Sequence, residues 1–332
     1  MTVNLKGRSF LTLMDYEPEE IRYLLDLAVK LKEDRAAGIF GDRLRGRNIL
    51  LLFEKTSTRT RSAFEVGATQ EGGAVTFLDN RNSQFGNKES IEDSAKVFGR
   101  MYDAIEYRGY EQSVVEALAE YSGVPVYNGL TDADHPTQIL ADLMTIEEHA
   151  GKPLSEVKVV FCGDTRNNMS YAWMYGCAKM GMDFVAYGPQ ELAPDRAVLD
   201  RVAPVCRKTG ASIAFSSDAR SLAGADIVYT DIWASMGEED QIPDRVKLLS
   251  PYKVTEELIT ATGNPAVLFM HCLPAFHDFE TEMARGQYEL GYDIREVSDE
   301  VFRSARSVVF DEAENRMHTI KAVMVATIGR GE

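Results

Sequence analysis

The most constraining feature of this 332-residue chain is Asn48 to Phe53, NILLLF, a strand-length run without a charged side chain. A strand with one wet face alternates apolar and polar residues. An unbroken apolar run belongs to a strand covered on both faces, as inside a parallel sheet flanked by helices. The pattern recurs at AVTFL (74–78), DAIEY (103–107) and PVYN (125–128), each pair separated by a polar, helix-compatible segment. Ahead of them, Ile21, Leu24, Leu25, Ala28 and Leu31 keep helical spacing, with Pro18 near the start of that helix and Gly38 beyond its end. His135 to Glu148 reads as a helix, and Gly151, Lys152 and Pro153 then break the pattern like a hinge. Beyond it come VKVVFC (157–162), DFVAY (183–187), ASIAF (211–215), DIVYT (226–230) and AVLFM (266–270). Two successive βα series predict an α/β fold of two doubly wound parallel-sheet domains, 1–150 and 151–315, with a site in the cleft between them. Phe276 to Ser298 reads as the longest loop.

Composition narrows the function classes. An apolar fraction of 45% with 27% charged residues suits a chain that buries cores and is not disordered. No window approaches 18 uncharged apolar residues, and the N-terminus lacks a secretory apolar core, so neither a membrane nor export is expected. Cys162, Cys177, Cys206 and Cys272 have neither disulfide-framework nor C-x-x-C spacing and read as reduced, buried thiols of a cytoplasmic protein. Seventeen basic against twenty-five acidic residues up to residue 150, and nineteen against twenty-seven beyond, leave −8 on each side and a net charge of −16. Nucleic acid is a poor partner for such a chain. Locally, Arg43, Arg45, Arg47, Lys55, Arg59 and Arg61 face one acid, Glu54, over 43–61. A basic island of this kind suits a small anion or a solvated face equally.

Directly after NILLLF comes Glu54-Lys55-Thr56-Ser57-Thr58-Arg59-Thr60-Arg61. Ser57 suits an N-cap, and a helix starting there presents free N–H groups and its positive dipole end to an anion. Arginine adds a planar fork for paired hydrogen bonds to an oxyanion. The Walker spacing G-x-x-x-x-G-K-[ST] is absent.

Phe53 to Arg61 resembles the carbamoyl-phosphate signature of the aspartate/ornithine carbamoyltransferase family. Tyr107-Arg108-Gly109, His135-Pro136-Thr137-Gln138 and His271-Cys272-Leu273-Pro274 match further family motifs in the right order, and the likeness runs from about residue 8 to 328. The resemblance implies that Ser57, Thr58, Arg59, Thr60 and Arg108 hold the phosphate of carbamoyl phosphate. His135 and Gln138 then sit at its carbamoyl end. Cys272 and Leu273 lie by the reacting nitrogen, with Leu273–Pro274 cis. It also makes Arg316 a carbamoyl-phosphate ligand at the start of a last helix, about 316–332, which returns to the first domain. Gln84, in a loop before a helix at Lys88, is implied to reach a neighbouring subunit's site, and so a homotrimer or an assembly of trimers.

Asp231 to Gly237 (DIWASMG) resembles the ornithine-type loop of the family and implies L-ornithine as the amine. Asp231, Ser235 and Met236 are then its ligands, with Asn168, or its neighbour Asn167, on the α-carboxylate. The catalytic set implied is Cys272, Arg108, His135 and Asp231, with no metal or organic cofactor. Gly163-Asp164-Thr165-Arg166 lacks the G-x-G-x-x-G of dinucleotide sites. Two alternatives remain from the residues: a carbamoyltransferase for another amine such as putrescine, and a non-catalytic two-lobed amino-acid- or anion-binding protein. Both synthesis and degradation of citrulline fit such a site.

Overall fold

The computed structural model describes residues 3–80, 83–86, 88–234 and 237–330. They form two units, Met1–Met144 with Glu314–Glu332, and Thr145–Ala313. In chain order the first unit begins with α1 (Pro18–Ala36), β1 (Asn48–Phe53), α2 (Thr58–Gln70), β2 (Ala74–Asp79), α3 (Ile91–Met101), β3 (Ala104–Arg108), α4 (Gln112–Ser122) and β4 (Val126–Leu130). Next, α5 (Pro136–His149) leads to β5 (Lys158–Cys162), α6 (Asn168–Met180), β6 (Asp183–Tyr187), α7 (Arg196–Thr209), β7 (Ser212–Ser216) and β8 (Ile227–Thr230). Then follow α8 (Ile242–Leu249), α9 (Glu256–Ala261), β9 (Leu268–Met270), α10 (Glu282–Glu289), α11 (Asp299–Phe302) and α12 (Val309–Ile328).

The first sheet has the order β2-β1-β3-β4, every pair parallel. NILLLF is its inner strand β1, with all but Asn48 buried. Each fully buried leucine there contributes about 1.5–3 kcal/mol. Because β1 is flanked by β2 and β3, the connection after β1 runs to β2 on one side and the connection after β3 to β4 on the other. That is a switch point, where an open α/β sheet leaves room for a ligand. Phe53 and Arg108 are paired at that end, and Glu54 N donates to Arg108 O at 2.8 Å. At the β4 edge, Phe10 pairs with Tyr127 in a parallel bridge. The last helix joins this unit: Lys321 Nζ donates to Gln70 Oε1 at 2.6 Å, and the Tyr127 and Thr327 hydroxyls lie 2.6 Å apart. Gly67 lets α2 approach α12, since a Cβ there would stand 3.3 Å from Met324 Cε.

The second sheet is also all parallel, in the order β7-β6-β5-β8-β9. Its switch point lies between β5 and β8, whose carboxyl ends lead to Gly163-Asp164 and to Asp231. Its core gathers Val160, Val228, Phe269, Val297 and Val301.

Four expectations are corrected. The last helix starts at Val309, so Arg316 lies inside it; Asp311 and Glu312 in its first turn suit the positive helix end. Phe276 to Ser298 contains α10, capped by Thr281, whose hydroxyl accepts from Ala284 N at 3.1 Å. The helix expected at Lys88 begins at Ile91 under a Ser90 cap. Cys206 and Cys272 are only partly buried, whereas Cys162 and Cys177 are buried.

Candidate active site

In the first unit the phosphate-signature segment divides its labour. Glu54 accepts from Tyr107 Oη at 2.5 Å and from Asn80 Nδ2 at 3.0 Å, and buried Lys55 pairs with Asp132. These residues brace the loop. Ser57 is the N-cap of α2, its Oγ accepting from Thr60 N at 3.2 Å, so Thr58 and Arg59 occupy the first turn. The basic island dissolves in space. Arg43 pairs with Glu71 and Asp34, Arg47 with Asp103, and Arg61 with Glu65. Arg59 is the member whose charge acts on the site.

Buried Arg316, from α12, is the hub. Its Nη1 donates to Gln138 Oε1 at 3.0 Å, and its Nη2 to Thr60 Oγ1 at 3.0 Å and Thr137 Oγ1 at 3.2 Å. Nη1 also faces His135 Nε2 at 3.4 Å. Gln138 Nε2 in turn donates to Asp142 Oδ1 at 2.8 Å, which sets the amide's orientation. His135 immediately precedes Pro136, the first residue of α5, and its carbonyl accepts from Gln138 N. Burial first, and then the charges of Arg316, Arg108 and Arg59, hold the His135 imidazole well below the usual histidine range. A neutral ring among three arginines leaves their positive charge available for an anion. Gln84 is exposed, and its carbonyl accepts from Lys88 N at 3.1 Å.

In the second unit Asp231, just past β8, is the focus. Its Oδ1 accepts from Ile232 N at 2.8 Å and from Cys272 Sγ at 3.3 Å, and its Oδ2 from Asn167 Nδ2 at 3.3 Å. Burial raises its carboxyl above the usual range, with the His271 ring, the Ile232 N–H and the Cys272 thiol pulling it back. Asn167 caps α6, its Oδ1 accepting from Ser170 N at 2.8 Å, so both ends of its amide are engaged. Asn168 is the first residue of that helix. Asp164 pairs with Arg245 and accepts from Arg166 N. Ser235 and Met236 lie outside the described residues.

Cys272 follows β9, and the Leu273–Pro274 bond is cis, with Leu273 at φ 55°. His271 has partners of its own. Its Nδ1 accepts from Leu273 N at 2.9 Å, which puts the ring proton on Nε2, 3.0 Å from Glu296 Oε1. The His271 N–H donates to Glu312, which also accepts from Tyr229 Oη. The thiol donates to the Asp231 carboxylate, while the His271 ring nitrogens are engaged with Leu273 N and Glu296. Ligand atoms of Asp231, His271 and Cys272 lie within 4.8 Å of one another, as do those of His277, Asp278 and Asp299. Both His271 nitrogens are occupied, and Arg303 pairs with Asp278 and Asp299, so neither arrangement is set for a metal.

Sequence reasoning missed Glu296, Glu312 and Asp142, acids buried beside the named residues. Glu296 carries a usable signal. Burial is the main cause that pushes its carboxyl up to about 8. The raised value means the neutral form favours the fold, so this contribution is complete below pH 4.5 and lost as pH rises through 8. Wild-type stability, measured relative to Glu296→Gln by urea denaturation, should therefore fall with rising pH across that window, by about 1.4 kcal/mol per unit. Parallel curves for the two proteins would refute it.

The carbamoyl-P binding domain of the aspartate/ornithine carbamoyltransferase family matches residues 8–148, and the family's Asp/Orn binding domain matches residues 155–327. The chain belongs to the aspartate/ornithine carbamoyltransferase family. A Clostridium perfringens (strain 13 / Type A) protein named catabolic ornithine carbamoyltransferase is 67% identical over 333 residues, covering 99% of this chain and 100% of that one. The ornithine carbamoyltransferase of Limosilactobacillus reuteri is 53% identical over 332 residues, 99% of each chain. The solved ornithine carbamoyltransferase of Pyrococcus furiosus has a TM-score of 0.90 at 38% identity, covering 98% of this chain and 99% of that one.

Proposed function

We propose that this enzyme transfers the carbamoyl group of carbamoyl phosphate to the side-chain amine of L-ornithine, giving L-citrulline and phosphate. The observation that carries the reading is the buried Arg316 cluster, with neutral His135 beside three arginines. Carbamoyl phosphate is a dianion with a polar carbonyl, and this group of donors matches it.

In this reading the phosphate lies on the α2 N-terminus, held by Ser57, Thr58, Arg59, Thr60 and Arg108. Neutralising it improves the leaving group. Arg316, His135 and Gln138 serve the carbamoyl oxygen, and their hydrogen bonds strengthen as charge develops there. Cys272 and Leu273 meet the carbamoyl nitrogen. Asn168, or its neighbour Asn167, holds the ornithine carboxylate, with Asp231, Ser235 and Met236 as the other ligands. The attacking amine must be neutral, which costs about 4–5 kcal/mol at pH 7 for a group titrating near a lysine. Asp231 and Cys272 orient it, and most of the remaining gain comes from positioning. No resident metal or organic cofactor enters these steps.

An amine panel tests the acceptor. Citrulline formation should exceed putrescine or aspartate carbamoylation by at least about 10²-fold in kcat/KM. A preference for putrescine would replace the acceptor, and inertness toward all three would favour a binding protein.

The reading includes a cytoplasmic homotrimer, or an assembly of trimers, with shared sites. No disulfide joins Cys162, Cys177, Cys206 or Cys272, which suits a reducing compartment. Among the described residues no helix is long and apolar enough to cross a membrane. The exposure of Gln84 on its loop suits a residue that serves a neighbour. Mixing Arg108→Ala with Gln84→Ala protein under subunit exchange should then regain activity that neither has alone. A mixture no more active than its parts would argue for self-contained sites.

A further inference from the structure

Glu106 stands out as an acid inside an inner strand. It lies on β3 between β1 and β4, is 0% exposed, and among the described residues neither carboxyl oxygen has a hydrogen-bond donor. Its place is shaped for it. The β3–β4 register skips Gly129, and a Cβ on that glycine would come within 1.8 Å of Glu106 Oε1. The same absent Cβ would stand 3.3 Å from Thr60 Cγ2, so the carboxyl sits beside the Thr60 that Arg316 grips. Arg108 lies two residues further along the strand.

We propose that Glu106 is a positioning residue that sets the charge of the anion site, carried as the neutral acid while a phosphate is held and weakening that grip when it ionises. The inference rests on the anion-site reading above and deepens it. A desolvated carboxylate with no donor is strongly disfavoured, and a nearby dianion disfavours it further. Burial accordingly pushes this carboxyl well above its usual range, against the opposing pull of Arg108 and Arg316. Kept neutral, it leaves the charges of Arg108 and Arg316 undiminished; ionised, it would offset them.

Few other groups compete for this role. Opposite Glu106, β1 presents Leu51 and β4 presents Tyr127, whose hydroxyl is engaged with Thr327 and whose ionisation is pushed up by burial. From α2 comes Thr60; the charges acting on the carboxyl are those of Arg108 and, from α12, Arg316. His135 is held neutral by the same arginines. Tyr107 and its partner Glu54 belong to the alternate face of the strand.

Sulfate is the probe, because its charge stays constant across the range. Calorimetry of the intact wild-type protein from about pH 7 to about pH 10, in buffers of different ionisation enthalpy, reads protons bound per sulfate. The expected result is proton uptake that grows with pH, at most one proton per sulfate, with affinity falling as it grows by up to about tenfold per pH unit. Glu106→Gln, and Glu106→Met as a second uncharged variant, should bind sulfate without that uptake. Infrared difference spectra of the wild type should gain a protonated-carboxyl band when sulfate is added at high pH, a readout that needs no variant. Absence of proton uptake or of that band in the wild type, or uptake that survives in a folded variant, would overturn the role of Glu106. No sulfate binding at any pH would instead reject the anion site itself.

Discussion

Replacing Arg316 with alanine should lower kcat/KM for carbamoyl phosphate by about 10³–10⁴-fold, a loss of about 4–5.5 kcal/mol in transition-state stabilisation. The size follows from what the guanidinium does. It is buried and donates to Gln138, Thr60 and Thr137 while facing His135. A single lost donor at a developing oxyanion costs about 10²–10³. Here the donor is charged, and its loss also frees Gln138 and Thr60 from the geometry it imposes. Arg316→Lys should recover little, because one ammonium cannot reproduce a planar fork that serves three oxygens. Stopped-flow and steady-state assays, with circular dichroism to confirm folding, would check this. A loss below tenfold would make Arg316 a structural residue of α12.

Asp231→Asn is expected to reduce kcat/KM for ornithine by about 10³-fold while leaving carbamoyl-phosphate affinity within a factor of about three. The carboxylate gathers the Cys272 thiol, the Ile232 N–H and the Asn167 amide on two oxygens. An asparagine keeps the shape but presents an N–H₂ where one of those donors points, and it removes the charge that an ammonium would meet. The change should be visible as a raised KM as well as a lowered kcat. Equal loss of affinity for both substrates would point to misfolding of the β8 end, and an unchanged KM for ornithine would remove Asp231 from the amine site.

The strands were legible because their signal is local. NILLLF needs only its own six residues to announce burial on both faces, and β1 has the same bounds in space. The Ser57 cap was legible for the same reason. Charge was not. The run of arginines at 43–61 suited an anion or a solvated face equally, and Arg43 and Arg47 find acids at Asp34, Glu71 and Asp103, which spacing along the chain does not reveal. Arg316 reaches Thr60 across 256 positions, so its assignment came only from the family likeness. Glu296 and Glu312 were passed over because their partner, His271, is brought to them by the fold of the second unit. Glu106 did carry a local sign, an acid within an apolar strand, and a buried charge of that kind asks for an explanation.

The first unit is stitched from both ends of the polypeptide: β1 to β4 are made early, whereas Arg316, Lys321 and Thr327 come from α12. During synthesis the four-stranded sheet emerges from the ribosome long before its guanidinium hub. A nascent chain can therefore build the platform without gaining a complete grip on substrate, and nonsense mutations ahead of α12 should yield protein that is inert however much of it accumulates.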